Sequence, residues 1–505
     1  MATRARGGKA RPSGLRSRAV TVTARALRLV ALCLALSGVS RADDSGLEPA
    51  LDRLVRSPAL RGARIGVVVD ELESGNRLLA RDASAALVPA SNQKVLIAAA
   101  ALAQWGPAHR FETPVLIEGE LTDGVLDGTL WVVGQGDPSL VSESLWKLAE
   151  EIRLRGIREI RGGIGVDTTR FDGATFHPDW EPVSSRAYFA PTSAWSVNYS
   201  SFRIDVAPGA RVGDPASVRL APALPYFRPL AEALTLRGGG KLALDVDVLP
   251  DGTGESVRVT GSVSADREPV TYWRAVALPE RYAAALLRAQ LEAHGIKVGS
   301  RVRFAPAPPE ARELLRFPGE PMALQVRLLD KYSNNFVAEQ LTKLLGAEVY
   351  GAPASWEKGV RALGDHVRRI GAFDAGTVIA DGSGLSPRNR ISPATLAAVV
   401  RDSARSSAYG PEFLASLPIA GRDGTLETRM RDFVPTVRAK TGHLQRVSSL
   451  SGVVPRADGG RLIFSLLVNG ARGSSLDVDA AIDAFVETLA GPAPDPAPTA
   501  AAVPQ

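Results

Sequence analysis

The run from Ile65 to Val69 is apolar apart from Gly66. The polar turn Ser74-Gly75-Asn76 breaks it and Leu78-Leu79 resumes it, a pattern that predicts a hairpin over residues 64–80. After a loop containing Pro89, every residue from Val95 to Leu102 is apolar, with no Gly or Pro before Gly106-Pro107. A segment apolar on all sides reads as a buried helix, and it starts near Ser91. Residues 111–300 have a different texture. Short apolar runs alternate with Gly and Asp turns, as in Val115 to Gly119 and Gly128 to Val133. Helical stretches from Glu143 to Arg155 and from Pro279 to His294 interrupt them, and Phe202 to Val263 is almost purely strand and turn. From about residue 321 the helical period returns. Near the end, Val447 to Val454 and Leu462 to Val468 flank the turn Asp458-Gly459-Gly460 and predict adjacent antiparallel strands; Val478 to Leu489 predicts a last helix. Helix-rich texture on both sides of a strand-rich middle predicts a discontinuous α/β domain with roughly 200 residues inserted into it.

A chain of 505 residues is too long for one hydrophobic core, and 45% apolar composition fits a soluble globular protein. The net charge of +6 does not describe the folded part. Arg4, Arg6, Lys9, Arg11, Arg16, Arg18, Arg25, Arg28 and Arg41 lie in residues 1–42 without a single acid, so the rest of the chain is net acidic. A nucleic-acid partner has no support in that balance. The basic leader runs into Leu29 to Leu36 and a small-residue site, Ser40-Arg41-Ala42, ahead of Asp43-Asp44. That is the pattern of an export signal cleaved near Ala42, which places the mature protein in the periplasm or another extracytoplasmic space; an uncleaved anchor is the alternative. The only cysteine, Cys33, lies in the middle of the apolar run, so the mature chain has neither disulfides nor thiol chemistry. No other segment approaches the ~20 apolar residues of a spanning helix, so no stable membrane anchor is expected. Residues 491–505 are rich in Pro and Ala and read as a disordered tail.

Three short elements carry candidate chemistry. In Ser91-Asn92-Gln93-Lys94 the serine and lysine are three positions apart and share a helix face. A serine hydroxyl needs a base to become a nucleophile, and a lysine amine can be that base if burial lowers its pKa. Alone, the spacing also fits a helix cap with a solvated lysine. Ser333-Asn334-Asn335 precedes the apolar helix beginning Phe336-Val337-Ala338; it reads as an N-cap, or as a proton-relaying hydroxyl beside a substrate-holding amide. Lys440-Thr441-Gly442 heads the strand region, where the glycine allows close backbone approach and the other two suit a carboxylate. In this order, the three form the signature shared by serine β-lactamases and penicillin-binding proteins.

The sequence resembles the class C low-molecular-mass penicillin-binding proteins, the D-alanyl-D-alanine carboxypeptidase/endopeptidases, over most of residues 48–490. Ser91 and Ser333 are 242 positions apart (333 − 91), and a large insertion there distinguishes this family. Gly136-Asp137-Pro138-Ser139-Leu140, Asp381 to Ser386, Asp423-Gly424-Thr425-Leu426 and Lys440 to Leu444 are similar as well. The resemblance implies a serine β-lactamase/transpeptidase-like catalytic domain, antiparallel sheet with helices, over 43–107 and 318–490. One inserted domain would span 108–201 and 265–317, and a small β-rich one 202–264. It implies Ser91 as the acylated nucleophile, Lys94 as base, Ser333 as proton relay and Asn335 as a substrate-positioning amide. Lys440 would supply charge, Thr441 would meet the terminal carboxylate, and the backbone N–H groups of Ser91 and His443 would form the oxyanion hole. Peptidoglycan peptides are the implied substrate, β-lactams the implied inhibitors, and no metal or other cofactor is implied.

Two places depart from the family pattern. Val183 falls where an acidic residue is common after Trp180, and Pro387 with Arg388 follows Ser386 where Arg is common at once. Three other chemistries fit less well. A β-lactamase has a shorter interval between the first two motifs, and a non-catalytic wall-binding module would be expected to lose a catalytic residue. A zinc carboxypeptidase needs clustered ligands, whereas His109, His177, His294, His366 and His443 are scattered.

Overall fold

The computed structural model describes residues 46–180, 184–239, 242–431, 433, 436–456 and 458–490. The expected leader with its Ala42 cleavage site, the tail beyond 490, and Val183 lie outside the described residues.

In chain order, the first part contributes helix α1 (Leu47–Arg56), strands β1 (Arg64–Glu71) and β2 (Arg77–Arg81), and helix α2 (Lys94–Trp105). The middle follows with β3 (Glu112–Thr122), β4 (Val125–Val133), α3 (Ser142–Leu154), β5 (Glu159–Ile160), β6 (Ile164–Asp167), β7 (Ser201–Ala207) and β8 (Ser217–Ala221). It continues through β9 (Phe227–Ala231), β10 (Leu234–Leu236), β11 (Ala243–Asp251), β12 (Gly254–Ser264), β13 (Val270–Ala275), α4 (Pro279–Ala293), β14 (Lys297–Val298), β15 (Val302–Phe304) and β16 (Arg312–Pro318). The last part holds α5 (Met322–Lys331), α6 (Asn335–Tyr350), α7 (Trp356–Arg369), α8 (Pro393–Arg405), α9 (Gly410–Ser416), β17 (Arg438–Leu444), β18 (Val447–Pro455), β19 (Arg461–Asn469) and α10 (Ser475–Leu489).

Five antiparallel strands in the order β17-β18-β19-β1-β2 make the main sheet, so the first and last parts of the chain close one sheet around everything between them. Alternation along these strands serves two cores. Val67, Val69, Phe464 and Leu466 pack with α1 and α10, whereas Val68, Ile463 and Leu467 join the core of α2, α5, α6 and α8. Helix α2 is buried at every position from Lys94 to Leu102, as an all-apolar segment requires. The middle of the chain folds on its own apolar core, under one sheet built on β3 and β4 and two smaller ones, β13-β7-β8 and β10-β12-β11 with β9 on β12.

Lys440-Thr441-Gly442 lies inside β17, the first of the three terminal strands. Arg438 and Ala439 already pair with Val453 and Gly452 and extend the strand backwards.

Candidate active site

Ser91 sits in a single 3₁₀ turn, Ala90–Gln93, that leads into α2. Ala90 adopts φ +49°, in the left-handed region that costs a side-chain-bearing residue energy. The surroundings hold the turn. Ser449 on β18 donates its hydroxyl to the Pro89 carbonyl at 2.6 Å and accepts the Asn92 amide at 2.7 Å. On the other side, Gln93 Nε2 donates to the Asp381 carbonyl at 3.2 Å. Because α2 is buried all round, Lys94 is fully buried with it, and its Nζ has three oxygen neighbours. These are Ser91 Oγ at 3.0 Å, Asn335 Oδ1 at 2.7 Å and the Ser383 carbonyl at 2.7 Å.

Asn335 begins α6, and Asn334 caps it by accepting the Val337 N–H at 3.1 Å. The cap reading of this motif therefore holds for Asn334, which leaves its neighbours for other contacts. Ser333, at φ +53°, is a second non-glycine residue held in the left-handed region. Its Oγ lies 3.0 Å from Lys440 Nζ. Asn335 Nδ2 donates to the Tyr188 carbonyl at 3.0 Å, which brings the middle of the chain to the cleft. Thr441 Oγ1 donates to Thr425 Oγ1 at 2.7 Å.

Strand β17 touches the Ser91 turn at Gly442. A Cβ there would stand 2.4 Å from Ser449 Oγ, 2.8 Å from the Pro89 carbonyl oxygen and 2.9 Å from the Asn92 nitrogen, so only glycine fits. The strand carrying the His443 N–H thus runs against the turn carrying the Ser91 N–H. The His443 ring turns to Asp479 instead, with Nε2 2.8 Å from the carboxylate. Ser91, Ser333, Thr425, Thr441, Gly442 and His443 share the lining of one cavity of about 560 Å³.

Two buried lysines set the electrostatics. Burial, with the nearby Lys440 ammonium adding to it, lowers the Lys94 amine to about 7. Burial lowers Lys440 as well, and Asp330 opposes the shift. Asp330 is itself pushed up by burial and receives the Ser416 hydroxyl at 2.7 Å. Glu339, four residues into α6 from Asn335, is fully buried. It accepts the N–H of Ser383 at 2.6 Å, of Gly382 at 3.1 Å and of Trp356 Nε1 at 2.8 Å. Asp381 accepts from Gly384 N, Ser386 N, Asn389 Nδ2 and Trp180 Nε1 at 2.6 to 3.0 Å. Together these carboxylates shape the loop whose Ser383 carbonyl faces Lys94. Among the expected site residues, Ser91, Lys94 and Asn335 form one linked group, and Ser333 and Lys440 another. Glu339, Asp330 and Asp479 were not anticipated. Of the family-like departures, Arg388 is described: Asp179 holds it through Nε at 2.7 Å and takes the Ser386 hydroxyl at 2.5 Å.

An antiparallel sheet facing a helical cluster across Ser-x-x-Lys, Ser-x-Asn and Lys-Thr-Gly is the arrangement of the penicillin-binding serine enzymes. The profile of the D-Ala-D-Ala carboxypeptidase 3 (S13) family matches residues 47–490. A D-alanyl-D-alanine carboxypeptidase of Actinomadura sp. is 35% identical over 97% of this chain and 92% of its own. The D-alanyl-D-alanine carboxypeptidase DacB of Haemophilus influenzae is 26% identical over 82% of this chain and 87% of its own. The crystal structure of penicillin binding protein 4 from H. influenzae superposes with TM-score 0.76 at 26% identity, covering 87% of this chain and 98% of that one. The same protein complexed with a β-lactam matches at 0.71, with the same identity and coverage. The chain belongs to the D-Ala-D-Ala carboxypeptidase 3 (S13) family, within the class C low-molecular-mass penicillin-binding proteins.

Proposed function

We propose that this chain cleaves D-Ala-D-Ala ends and D-Ala cross-links of peptidoglycan stem peptides through an acyl-enzyme on Ser91. The single observation that supports this most is a fully buried amine 3.0 Å from the Ser91 hydroxyl, lowered to about 7 and so able to be a free base at neutral pH. Lys94 takes the Ser91 proton as Oγ attacks the penultimate D-alanine carbonyl. The N–H groups of Ser91 and His443 receive the developing oxyanion; one such donor is typically worth ~10²–10³ in rate. Ser333 relays to the leaving amine the proton that Lys94 took, its Oγ held 3.0 Å from the Lys440 ammonium, while Asn335 holds the substrate amide. Thr441, supported by Thr425, meets the terminal carboxylate. Lys94, neutral again, takes a proton from the water that attacks the ester and returns it to Ser91 Oγ as that oxygen leaves. A β-lactam enters by the same step and stays, and no metal or other cofactor takes part.

We place the catalytic domain at 43–107 and 318–490, with inserted domains at 108–201 with 265–317 and at 202–264. Among the described residues no helix is long and apolar enough to cross a membrane. We take residues 1–42 as an export signal, so that the mature enzyme works outside the cytoplasm. The test is digestion of purified, cross-linked peptidoglycan with identification of the fragments. Tetrapeptides and freed D-alanine, or separated cross-linked dimers, support the reading; an unchanged polymer sinks it.

A further inference from the structure

The mechanism above uses only the backbone N–H of His443 and leaves the ring without a role, yet the ring is held in place. Its Nε2 lies 2.9 and 2.8 Å from the two oxygens of Asp479 on α10. Ser448, directly opposite His443 in β18, donates its hydroxyl to the same carboxylate at 2.8 Å. Asp479 therefore grips both members of one cross-strand pair. It also meets Arg429 NH1 at 3.1 Å, and the rest of that guanidinium forks onto Asp483, with Nε at 3.0 Å and NH2 at 2.6 Å. Arg429 lies four residues beyond Thr425, the partner of Thr441. One carboxylate thus ties together strand β17, helix α10 and the Thr425 loop, all of which line the same cavity.

This tie matters because β17 is an edge strand. It pairs with β18 along its whole length, but on its other side only the start is paired, Arg438 with Ile419 and the Ala439 N–H with the Pro418 carbonyl, and Thr441, Gly442 and His443 line the cleft. An oxyanion donor works only near 2.7–3.1 Å from the atom it stabilises, and an edge strand has half the ladder to hold it there. The Asp479 and Arg429 side chains are 17% and 12% exposed, dry enough for charge-assisted bonds to be strong. Burial alone would raise the Asp479 carboxyl; the His443 hydrogen bond and the Arg429 charge outweigh it and hold it below the usual range.

We infer that Asp479 is a positioning residue, which fixes the His443 N–H at the oxyanion position through the His443 ring and the Ser448 hydroxyl, and couples that strand to the Thr425 loop through Arg429. The inference rests on the reading of that N–H as an oxyanion donor. Acylation and deacylation both pass through the oxyanion, so both should respond. Rapid-mixing kinetics of the full chain with a chromogenic β-lactam and a D-Ala-D-Ala-type ester substrate supply the test. Asp479→Asn should lower the acylation rate constant and kcat by about tenfold or more, with KM changed less than twofold and every molecule still labelled. His443→Ala should do the same, and the double variant should be no slower than either alone, as for residues acting through one another. A wild-type kcat in Asp479→Asn, a loss seen only as a smaller labelled fraction, or losses that multiply in the double variant would each overturn it. If the wild-type protein takes no label at Ser91, the proposed function fails instead, and the two failures are distinct.

Discussion

The Nζ of Lys94 lies 3.0 Å from the Oγ of Ser91, three residues earlier, at the head of a helix buried at every position from Lys94 to Leu102. The distance is a hydrogen bond, and the burial makes the bond useful, because an amine exposed to water at this position would stay protonated through neutral pH.

The rate of β-lactam acylation should therefore follow the Lys94 proton. The free amine is the active form, so the second-order rate constant rises with pH and levels off above about 7. Lys440 must keep its proton, and burial lowers it too, so the rate falls again on the alkaline side. Lys94→Ala should lose ~10²–10⁴ in rate. A flat profile from pH 5.5 to 9, or a near wild-type rate in the variant, contradicts the assignment.

Glu339 acts on that same proton from behind. Its charge favours the protonated form of Lys94, and its two oxygens accept three N–H groups. Glu339→Gln removes the charge and turns one acceptor into a donor facing an N–H. The midpoint of the acylation–pH profile should move to lower pH, and unfolding should become easier by about 1–3 kcal/mol. A midpoint that stays in place would mean that Glu339 is too well screened to act on Lys94.

Gly442→Ala tests the contact between β17 and the Ser91 turn. The added methyl would meet the Pro89 carbonyl and the Asn92 nitrogen, both backbone atoms, and must push the strand away. Acylation should fall by ~10²–10³, the cost of a misplaced oxyanion donor, while the melting temperature drops by only a few degrees. Retained acylation would show that the two backbone segments are not coupled.

His366 lies away from the cleft and tests the stability account. It is 3% exposed, its Nε2 makes no hydrogen bond among the described residues, and burial lowers it to about 4. The unfolded chain, with this group near 6.5, binds the proton first. The contribution is therefore present above pH 6.5 and is lost as pH falls through 4, about 3 kcal/mol in all. Melting curves of wild type and His366→Leu should diverge in the variant's favour over that window. Parallel curves would mean that the histidine is solvated.

Much of this was legible because the chemistry is locally encoded. Ser-x-x-Lys places two groups on one helix face whatever the rest of the fold does, and the all-apolar run after Lys94 announced the burial that lowers its amine. The terminal hairpin strands and the helices after Glu143 and Pro279 appear within a residue or three of their expected limits. Glu339 was hidden because an acid four residues into an apolar helix reads as the solvent side. Only the packing of α7 and the Asp381 loop against α6 buries it, and that contact has no local signature. The pairing of β1 with β19 escaped for the same reason, since nearly 400 residues separate Val67 from Leu466. Asp479 lies in a helix expected only for its apolar face, and its partner His443 was considered for its backbone alone.

The central claim is that Ser91 is the acylated residue. Intact-mass analysis of the protein after exposure to a β-lactam, followed by peptide mapping of the adduct, measures it directly. The expected result is one adduct per chain on the peptide containing Ser91, absent in Ser91→Ala at any exposure time. An adduct on another peptide, or labelling that survives in Ser91→Ala, would contradict the account.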